Sequence, residues 1–346
     1  MYPKVSIHIV AWNSMDFIPE LLKSIFAQTY TDFNVLIVDN ASDDGVETFV
    51  RAHYPQAMIL RNARNLGFAP AHNQAVRYAT EHWGKDVLDD RYILVTNPDV
   101  ILSPTFLENL MKGVAEEPQA GSYQGKLLLA FRENMQDEAL AETVCSERID
   151  STGLRMNRNR TFVDRGAGEL DTRQYDQSRD IFGPTGALAL YRASALQAVK
   201  LGDECFDADF FAYKEDVDLA WRLRRAGFSS RYVPEAVAHH HRGMFGNEKM
   251  GWRERMRNRK GKSSTRNWYS TRNHVLLLAK NEPFWSGLLA LPSIAWFELR
   301  RFVYVCLFEP GSLSAYWAAV GLFPRMLKKR FHRTQRLNDS VTQPLV

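Results

Sequence analysis

Val5-Ser-Ile-His-Ile-Val-Ala-Trp-Asn-Ser14 decides the fold class. Its first six residues are β-branched or apolar at alternate positions, which reads as a buried strand. Polar groups wait at its carboxyl end. A helix pattern follows, with Ile18, Leu21, Leu22 and Ile25 on one face and Pro19 in the first turn. The unit then repeats. Val35 to Val38 reads as a second strand, ending in the polar turn Asp39-Asn-Ala-Ser-Asp-Asp-Gly45. Met58 to Leu60 reads as a weak strand, Ala69 to Thr80 as a helix, and Tyr92 to Thr96 as a strand ending at Asn97-Pro-Asp99. Strands alternating with helices predict an α/β layer fold whose ligands bind beyond the carboxyl ends of the strands.

Farther along, Ser103-Pro104 reads as cap and first residue of a helix that buries Phe106, Leu107, Leu110, Met111 and Val114 and stops at Pro118. Phe131 to Asp180 is polar and irregular, which suggests loops with short strands. Order returns at Phe182-Gly-Pro-Thr-Gly-Ala-Leu-Ala-Leu-Tyr191, a turn into a strand. Glu215 to Ala226 reads as a helix closed by Gly227. Arg231 to Val233 and Ala236 to Ala238 are separate short strand candidates.

Bulk numbers set the bounds. The 346 residues suffice for one large domain and an appendage, and 45% hydrophobic with 24% charged residues is ordinary for a globular chain. The net charge of +4 is uneven: Arg242 to Arg272 holds ten Lys/Arg against two acids, leaving the remainder net acidic. Cys145, Cys205 and Cys306 are widely spaced and odd in number, which favours a reducing compartment. The opening Met-Tyr-Pro-Lys runs straight into a strand, so no signal peptide is expected. No apolar run reaches 18 residues, so no spanning helix is expected either. A cytoplasmic protein follows, free or at the inner face of the membrane.

The chemistry concentrates in a few turns and one helix. Trp12-Asn13, Asp39 to Asp44 and Asn97 to Asp99 all follow strands and so share one sheet edge. Asp39 is placed to accept the imide hydrogen of a pyrimidine base, and Asp99 to ligate a divalent cation bridging a diphosphate. Each acid could instead merely cap the next helix. Phe210-Phe-Ala-Tyr-Lys-Glu-Asp-Val-Asp-Leu-Ala-Trp-Arg222 puts three acids at a helix mouth, where the helix dipole alone would favour negative charge. That does not explain why Asp216 lies on the apolar stripe with Leu219 and Leu223, at i, i+3 and i+7. A carboxylate so placed suits a general base. Asp218, four residues before Arg222, suits a solvent-side ion pair, and Glu215 suits hydrogen bonds to acceptor hydroxyls.

The motifs together resemble the family 2 glycosyltransferases, which have a GT-A fold. The matching pieces are Val5 to Ser14, Val38 to Gly45, Asn65-Leu-Gly-Phe-Ala69, Asn97-Pro-Asp99, Gly186-Ala187, Phe206-Asp207 with Phe210 to Leu219, and His240. They run in the family's order over about the first 240 residues. Within it the chain is most similar to bacterial rhamnosyltransferases of surface polysaccharide synthesis. The resemblance implies a GT-A (Rossmann-like) mixed sheet flanked by helices. It assigns Ala11, Trp12, Asn13, Asp39, Ser42, Asp44, Asn65, Gly67, Phe68, Asn97 and Asp99 to the nucleotide sugar. Gly186 and Glu215 would serve the acceptor, Asp216 would be the base, and Asp99 with His240 would hold the metal. His239 and His241 are alternatives for that last ligand. Asn97 replaces the first acid of the family's Asp-x-Asp motif, so Asp99 would carry most of the metal binding. Carboxylate plus imidazole suits Mn²⁺, with Mg²⁺ as second choice.

The division implied is a catalytic domain over 1–241, a basic linker over 242–273 and a helical extension over 274–346. Phe284 to Phe308 and Ala315 to Phe323 are rich in Trp, Phe and Leu, interrupted by Pro292 and Glu298-Leu-Arg-Arg301. They fit a peripheral membrane contact, packing on the catalytic domain, or a homo-oligomer interface about equally. The function expected is inverting, metal-dependent transfer of rhamnose from dTDP-rhamnose to a glycan or a polyprenyl-diphosphate-linked acceptor. The alternatives are a UDP-sugar donor or a non-catalytic protein that binds nucleotide sugars or nucleic acid. Nucleic acid is disfavoured because strand-end acids would repel phosphate. A nicotinamide enzyme is disfavoured because no G-x-G-x-x-G follows the first strand.

Overall fold

The computed structural model describes residues 2–134, 141–241 and 263–331. Among these, β1 (Val5–Ala11), β2 (Phe33–Asp39), β3 (Met58–Arg61) and β4 (Tyr92–Thr96) form a parallel block in the order β3-β2-β1-β4. Helix α1 (Ile18–Phe26) buries all four residues of its expected stripe; α2 (Val46–His53) and α3 (Phe68–Trp83) complete this half. The short β5 (Val100–Leu102) and helix α4 (Phe106–Glu116) follow. Here the expected cap shifts. Thr105, not Ser103, precedes the helix, and the buried Gln28 at the end of α1 accepts from Leu107 N–H at 2.9 Å. A side chain from elsewhere does the capping that Ser103-Pro104 suggested.

The largest departure lies between residues 122 and 164. The stretch from Phe131 to Asp180, expected to hold loops with short strands, contains the end of β6 (Ser122–Asn134), the long strand β7 (Ala141–Ser151), and the short ribbon of β8 (Leu154–Met156) with β9 (Phe162–Asp164). Polar residues masked β7, whose consecutive Val144 and Cys145 are both exposed, so that it lacks the alternation expected of a core strand. Strand β10 (Leu188–Arg192) runs antiparallel between β4 and β6. Helices α5 (Ala193–Val199) and α6 (Glu215–Arg225) come next. The two strand candidates after α6 are one strand, β11 (Ser230–His240), whose register shifts between Val233 and Val237 around Pro234. Proline cannot donate to a ladder, so the strand bulges there and continues. β11 pairs with β6 and β5 and completes a nine-stranded mixed sheet.

The helices α7 (Ser264–Asn281), α8 (Phe284–Phe308) and α9 (Ser314–Arg330) finish the described chain. α7 is one helix running across the boundary expected at 273, and α8 continues through Pro292 instead of breaking there. The basic residues 242–262 lie outside the described residues. No helix among the described residues is long and apolar enough to cross a membrane.

Candidate active site

The turn after β1 and the turn after β2 are laced together by short side chains. Asn13 N–H donates to Ser42 Oγ (3.0 Å), Asp43 N–H to Asn13 Oδ1 (3.0 Å) and Met15 N–H to Asp44 Oδ2 (2.7 Å). Asn40 N–H reaches Ala11 O at 2.8 Å. Asp39 is fully buried, with Ser42 N–H on one oxygen (2.9 Å) and Arg61 Nη1 on the other (2.9 Å). A base edge would therefore compete with Arg61 for this carboxylate. Trp12 stands 57% exposed above the turn.

The third piece arrives through Asn40, whose Nδ2 donates to Gly67 O (3.1 Å), while Asn65 Oδ1 accepts from Gly67 N–H (2.8 Å). Gly67 has φ +85°, and a Cβ there would meet the Phe211 ring at 2.7 Å. That close approach carries Asn65, Gly67 and Phe68 against the aromatic run before α6, and Phe68 N–H donates to Phe211 O (3.0 Å).

Strain marks that run. Phe211, Tyr213 and Lys214 have φ of 62°, 69° and 77°. Bulky residues in left-handed backbone cost roughly 1–3 kcal/mol each and persist only where surroundings enforce them. Enforcement comes from α7. Buried Asn273 donates from Nδ2 to the carbonyls of Phe210 (2.9 Å), Ala212 (2.8 Å) and Tyr213 (2.6 Å). Arg272 Nη2 adds Asp209 O (2.6 Å) and Phe210 O (3.1 Å).

The run delivers Glu215 and Asp216 at the start of α6. Half-buried Asp216 accepts from Gly186 N–H at 3.0 Å and Val217 N–H at 2.8 Å. Burial raises its carboxyl above the usual range, and the Gly186 N–H partly restores the ionised form. Glu215 is 6% exposed and pushed up to about 8, by burial and then by its neighbour Asp216. Asp218 does not face solvent. It is fully buried and pairs with Arg222 Nε (2.9 Å), Lys280 Nζ (2.8 Å) and Asn281 Nδ2 (2.8 Å). The i, i+4 pair with Arg222 exists, but α7 covers it.

Across the sheet edge, Asn97 N–H donates to Ala187 O (2.9 Å), next to the Gly186 that holds Asp216. Two residues on, Asp99 O accepts from His241 N–H (2.9 Å), and Asp99 Oδ1 lies 3.2 Å from His240 Nε2. His240 Nδ1 lies 2.8 Å from Asp150 Oδ2 on β7. Burial opposes the imidazolium, but hydrogen bonds to Asp150 and Asp99 outweigh it and raise His240 to about 9. His239 and His241 turn elsewhere; His241 Nε2 sits 3.4 Å from Glu20. Asp99 with His240 is thus connected to Asp216 through Asn97 and the Gly186-Ala187 pair at this edge of the sheet.

The donor set would fit a divalent cation once the cation displaces the Nε2 proton, because an imidazolium has no free lone pair to ligate with. A carboxylate oxygen and an imidazole nitrogen face each other, and a second carboxylate fixes the far ring nitrogen, the usual support for a ligating histidine. The described residues offer no cluster of three or more such side chains, so the remaining positions would belong to the donor diphosphate and water. Asp150 carried no signal in the sequence because it lies in the stretch expected to be loops with short strands. Asn273 had a signal: Asn273, Leu276, Leu277, Lys280 and Asn281 fall on one helical stripe, which puts polar residues at core positions.

Comparison with known proteins identifies the family. The family model described as Glycosyl transferase family 2 matches residues 6–199. The N-acetylglucosaminyl-diphospho-decaprenol L-rhamnosyltransferase of Mycobacterium tuberculosis is 28% identical over 238 residues, covering 67% of this chain and 74% of that protein. Rhamnosyltransferase WbbL of Escherichia coli is 28% identical over 256 residues, covering 72% and 89%. Among solved structures, S. aureus TarS 1-349 superposes with a TM-score of 0.53 at 14% identity, over 94% of this chain and 82% of that one. The Pyrobaculum calidifontis mannosyltransferase PcManGT, in complex with GDP-Man and Mn²⁺, gives 0.51 at 17% identity, over 94% and 76%. These structural likenesses speak for the GT-A fold alone. The family match covers more than half of the chain, which is a glycosyltransferase of family 2.

Proposed function

We propose that this enzyme transfers a deoxyhexose, rhamnose from dTDP-rhamnose before any UDP-sugar, to a hydroxyl of a lipid-diphosphate-linked glycan, with inversion. The carrying observation is Asp216: a half-buried carboxylate of raised pKa, locked by Gly186 N–H on the edge that also holds Asp99 and His240. The rhamnose and the lipid-linked acceptor rest on what the mycobacterial relative is named for.

The residues divide the work. The laced turns over Asn13, Ser42 and Asp44, with Asn65 to Phe68, cradle the nucleotide. Asp216 takes the proton of the acceptor hydroxyl as its oxygen bonds to the anomeric carbon. The bond from that carbon to the diphosphate breaks on the opposite face, and nucleoside diphosphate leaves with the electron pair. One base on the far face gives inversion. Glu215, neutral at its raised pKa, donates to an acceptor oxygen and so favours the hydroxyl's approach without adding charge beside Asp216. A cation held by Asp99 and His240 would neutralise charge on the departing diphosphate. Gly186 lets the Asp216 carboxylate approach its backbone N–H, since a Cβ there would sit 3.3 Å from Asp216 Cβ.

A thermal-shift panel of nucleotide sugars with Mn²⁺ tests the donor: the largest stabilisation is expected from dTDP-rhamnose, and none from any nucleotide sugar would refute the reading. Asp216→Asn is expected to lower turnover by about 10²–10⁴-fold with donor affinity unchanged. The acid limb of the rate profile should lie above pH ~4, the ordinary carboxylate value, because the base must ionise from a raised pKa. A limb at or below that value would sink the assignment of Asp216.

A further inference from the structure

One surface has no part in the chemistry above. On α8, Trp285, Leu289, Trp296, Leu299, Phe302 and Leu307 are all exposed, Leu289 at 80% and Trp285 at 74%. At about 100° per residue these positions fall on one half of the helix. The other half carries the buried Ala290, Arg301 and Val305 and the ion pair of Glu298 with His274 on α7 (2.9 Å). The inner face is thus satisfied, and the outer face is apolar by design of the pattern. Helix α9 repeats the arrangement: Ala315, Ala319 and Met326 are buried, while Trp317 (77%), Val320 and Phe323 are exposed. The two outer faces join where the Phe302 and Tyr316 rings meet, centroids 5.5 Å apart. Contiguous apolar surface of this extent marks an interaction site.

Charge selects the occupant. Arg300 sits at the margin of the α8 face, and Lys328 is exposed on α9 beside Leu327. No acid lies among the residues of α9, and the only one in α8, Glu298, is turned inward. A self-complementary interface would bring these cations together across its axis and would need acids to meet them. Aromatic and aliphatic residues rimmed by Arg and Lys, on helices too polar to span, match a helix lying in an anionic bilayer interface.

We infer that the outer faces of α8 and α9 form a docking surface for an anionic lipid membrane, laid flat with Trp285, Leu289, Trp296 and Trp317 in the headgroup–acyl boundary. Its purpose rests on the lipid-linked reading of the acceptor, but its existence does not. Docking would hold α7, and through Asn273 the strained run before Asp216, beside the plane in which such an acceptor is confined.

The full-length protein is sedimented with vesicles of phosphatidylcholine alone and of phosphatidylcholine doped with phosphatidylglycerol. Pelleting with the anionic vesicles is expected, weakening with salt, with a blue shift of tryptophan fluorescence. Leu289→Glu with Trp317→Glu, both on exposed positions, should lose at least about tenfold in partitioning at unchanged thermal stability. Arg300→Gln with Lys328→Gln should lose the preference for anionic over neutral vesicles. Wild-type protein that stays in the supernatant at low salt overturns the inference. So does self-association abolished by Leu289→Glu without vesicle binding, which would make a second copy the occupant. Vesicle binding in a protein that transfers no sugar would leave the surface standing and refute the functional reading alone.

Discussion

The turn after β2 and the run before α6 are both irregular backbone beside the reaction centre, yet they are held in opposite ways. Asp39 to Asp44 finds its partners in Asn13, Met15, Ser42 and Arg61, no more than 30 residues away. The run before α6 is held from 60 to 122 residues downstream: Asn273 takes its carbonyls, Lys280 bridges Asp207 and Asp218, and Lys329 reaches Asp207 and Asp209. The difference teaches where the C-terminal helices belong. They pack as part of the same body, because they supply the cations and the amide that hold the start of α6 and the run before it. The turn after β2 is thus bonded within a short segment of chain, while the run before α6 is bonded by residues near the chain's end.

The strongest way to break this contrast is Lys280→Met. It leaves Asp207 and Asp218, both fully buried, short of a cation, and removing one partner of a buried ionic network costs about 3–5 kcal/mol. A large drop in melting temperature and loss of transfer are expected; a melting temperature within a degree of wild type would show that the network is incidental. Acid probes the same network without mutation. Burial disfavours the charged form of Asp207, but Lys280 and Lys329 outweigh it and hold the carboxyl well below the usual range. Asp218 is likewise lowered, by Lys280 and Arg222 against its burial. A carboxyl whose folded-state pKa is depressed stabilises the fold above its unfolded value, near pH ~4, and loses that contribution as pH falls through the folded one. Denaturation midpoints should therefore fall steeply below pH ~4 in the wild type. Asp218→Asn with Lys280→Met should flatten that dependence.

The same contrast explains what could be read in advance. β1, α1, β2, β4 and the polar turns after them were legible because their apolar periodicity and their turn chemistry are local. Asp216 stands out in the sequence by its spacing with Leu219 and Leu223, but α6 is buried on several faces and Asp216 itself is only half-buried. Asp218 was misplaced because only α7 covers it, and nothing within α6 says so. β7 falls in the stretch expected to be loops with short strands because its polar content reflects exposure to solvent, not a lack of pairing. Asp150 was lost with it, and so was the second carboxylate on His240. Pro292 was over-weighted: α8 loses one backbone donor there but keeps its buried stripe, which outweighs the defect.

Smaller perturbations sharpen the contrast by separating stability from turnover. Asn273→Leu removes the single amide that serves three carbonyls, and leaving buried acceptors unsatisfied costs about 1–3 kcal/mol. Because those carbonyls belong to the strained run, turnover should fall further than stability alone explains, with donor affinity nearly unchanged. Asn273→Asp, which cannot donate when ionised, should behave alike.

Asp44→Ala is the matched change on the donor side. Asp44 accepts from Met15 and Val46 N–H (2.7 and 3.3 Å), much as a capping residue does, and loss of such a cap costs about 1 kcal/mol. A melting shift of a few degrees at most is expected, with weaker donor binding and with turnover at saturating donor preserved. The two variants should thus split the kinetic constants between them. If Asp44→Ala lowered turnover as Asn273→Leu does, the two regions would be one cooperative unit, and the division between a locally built donor side and a remotely braced acid side would fail.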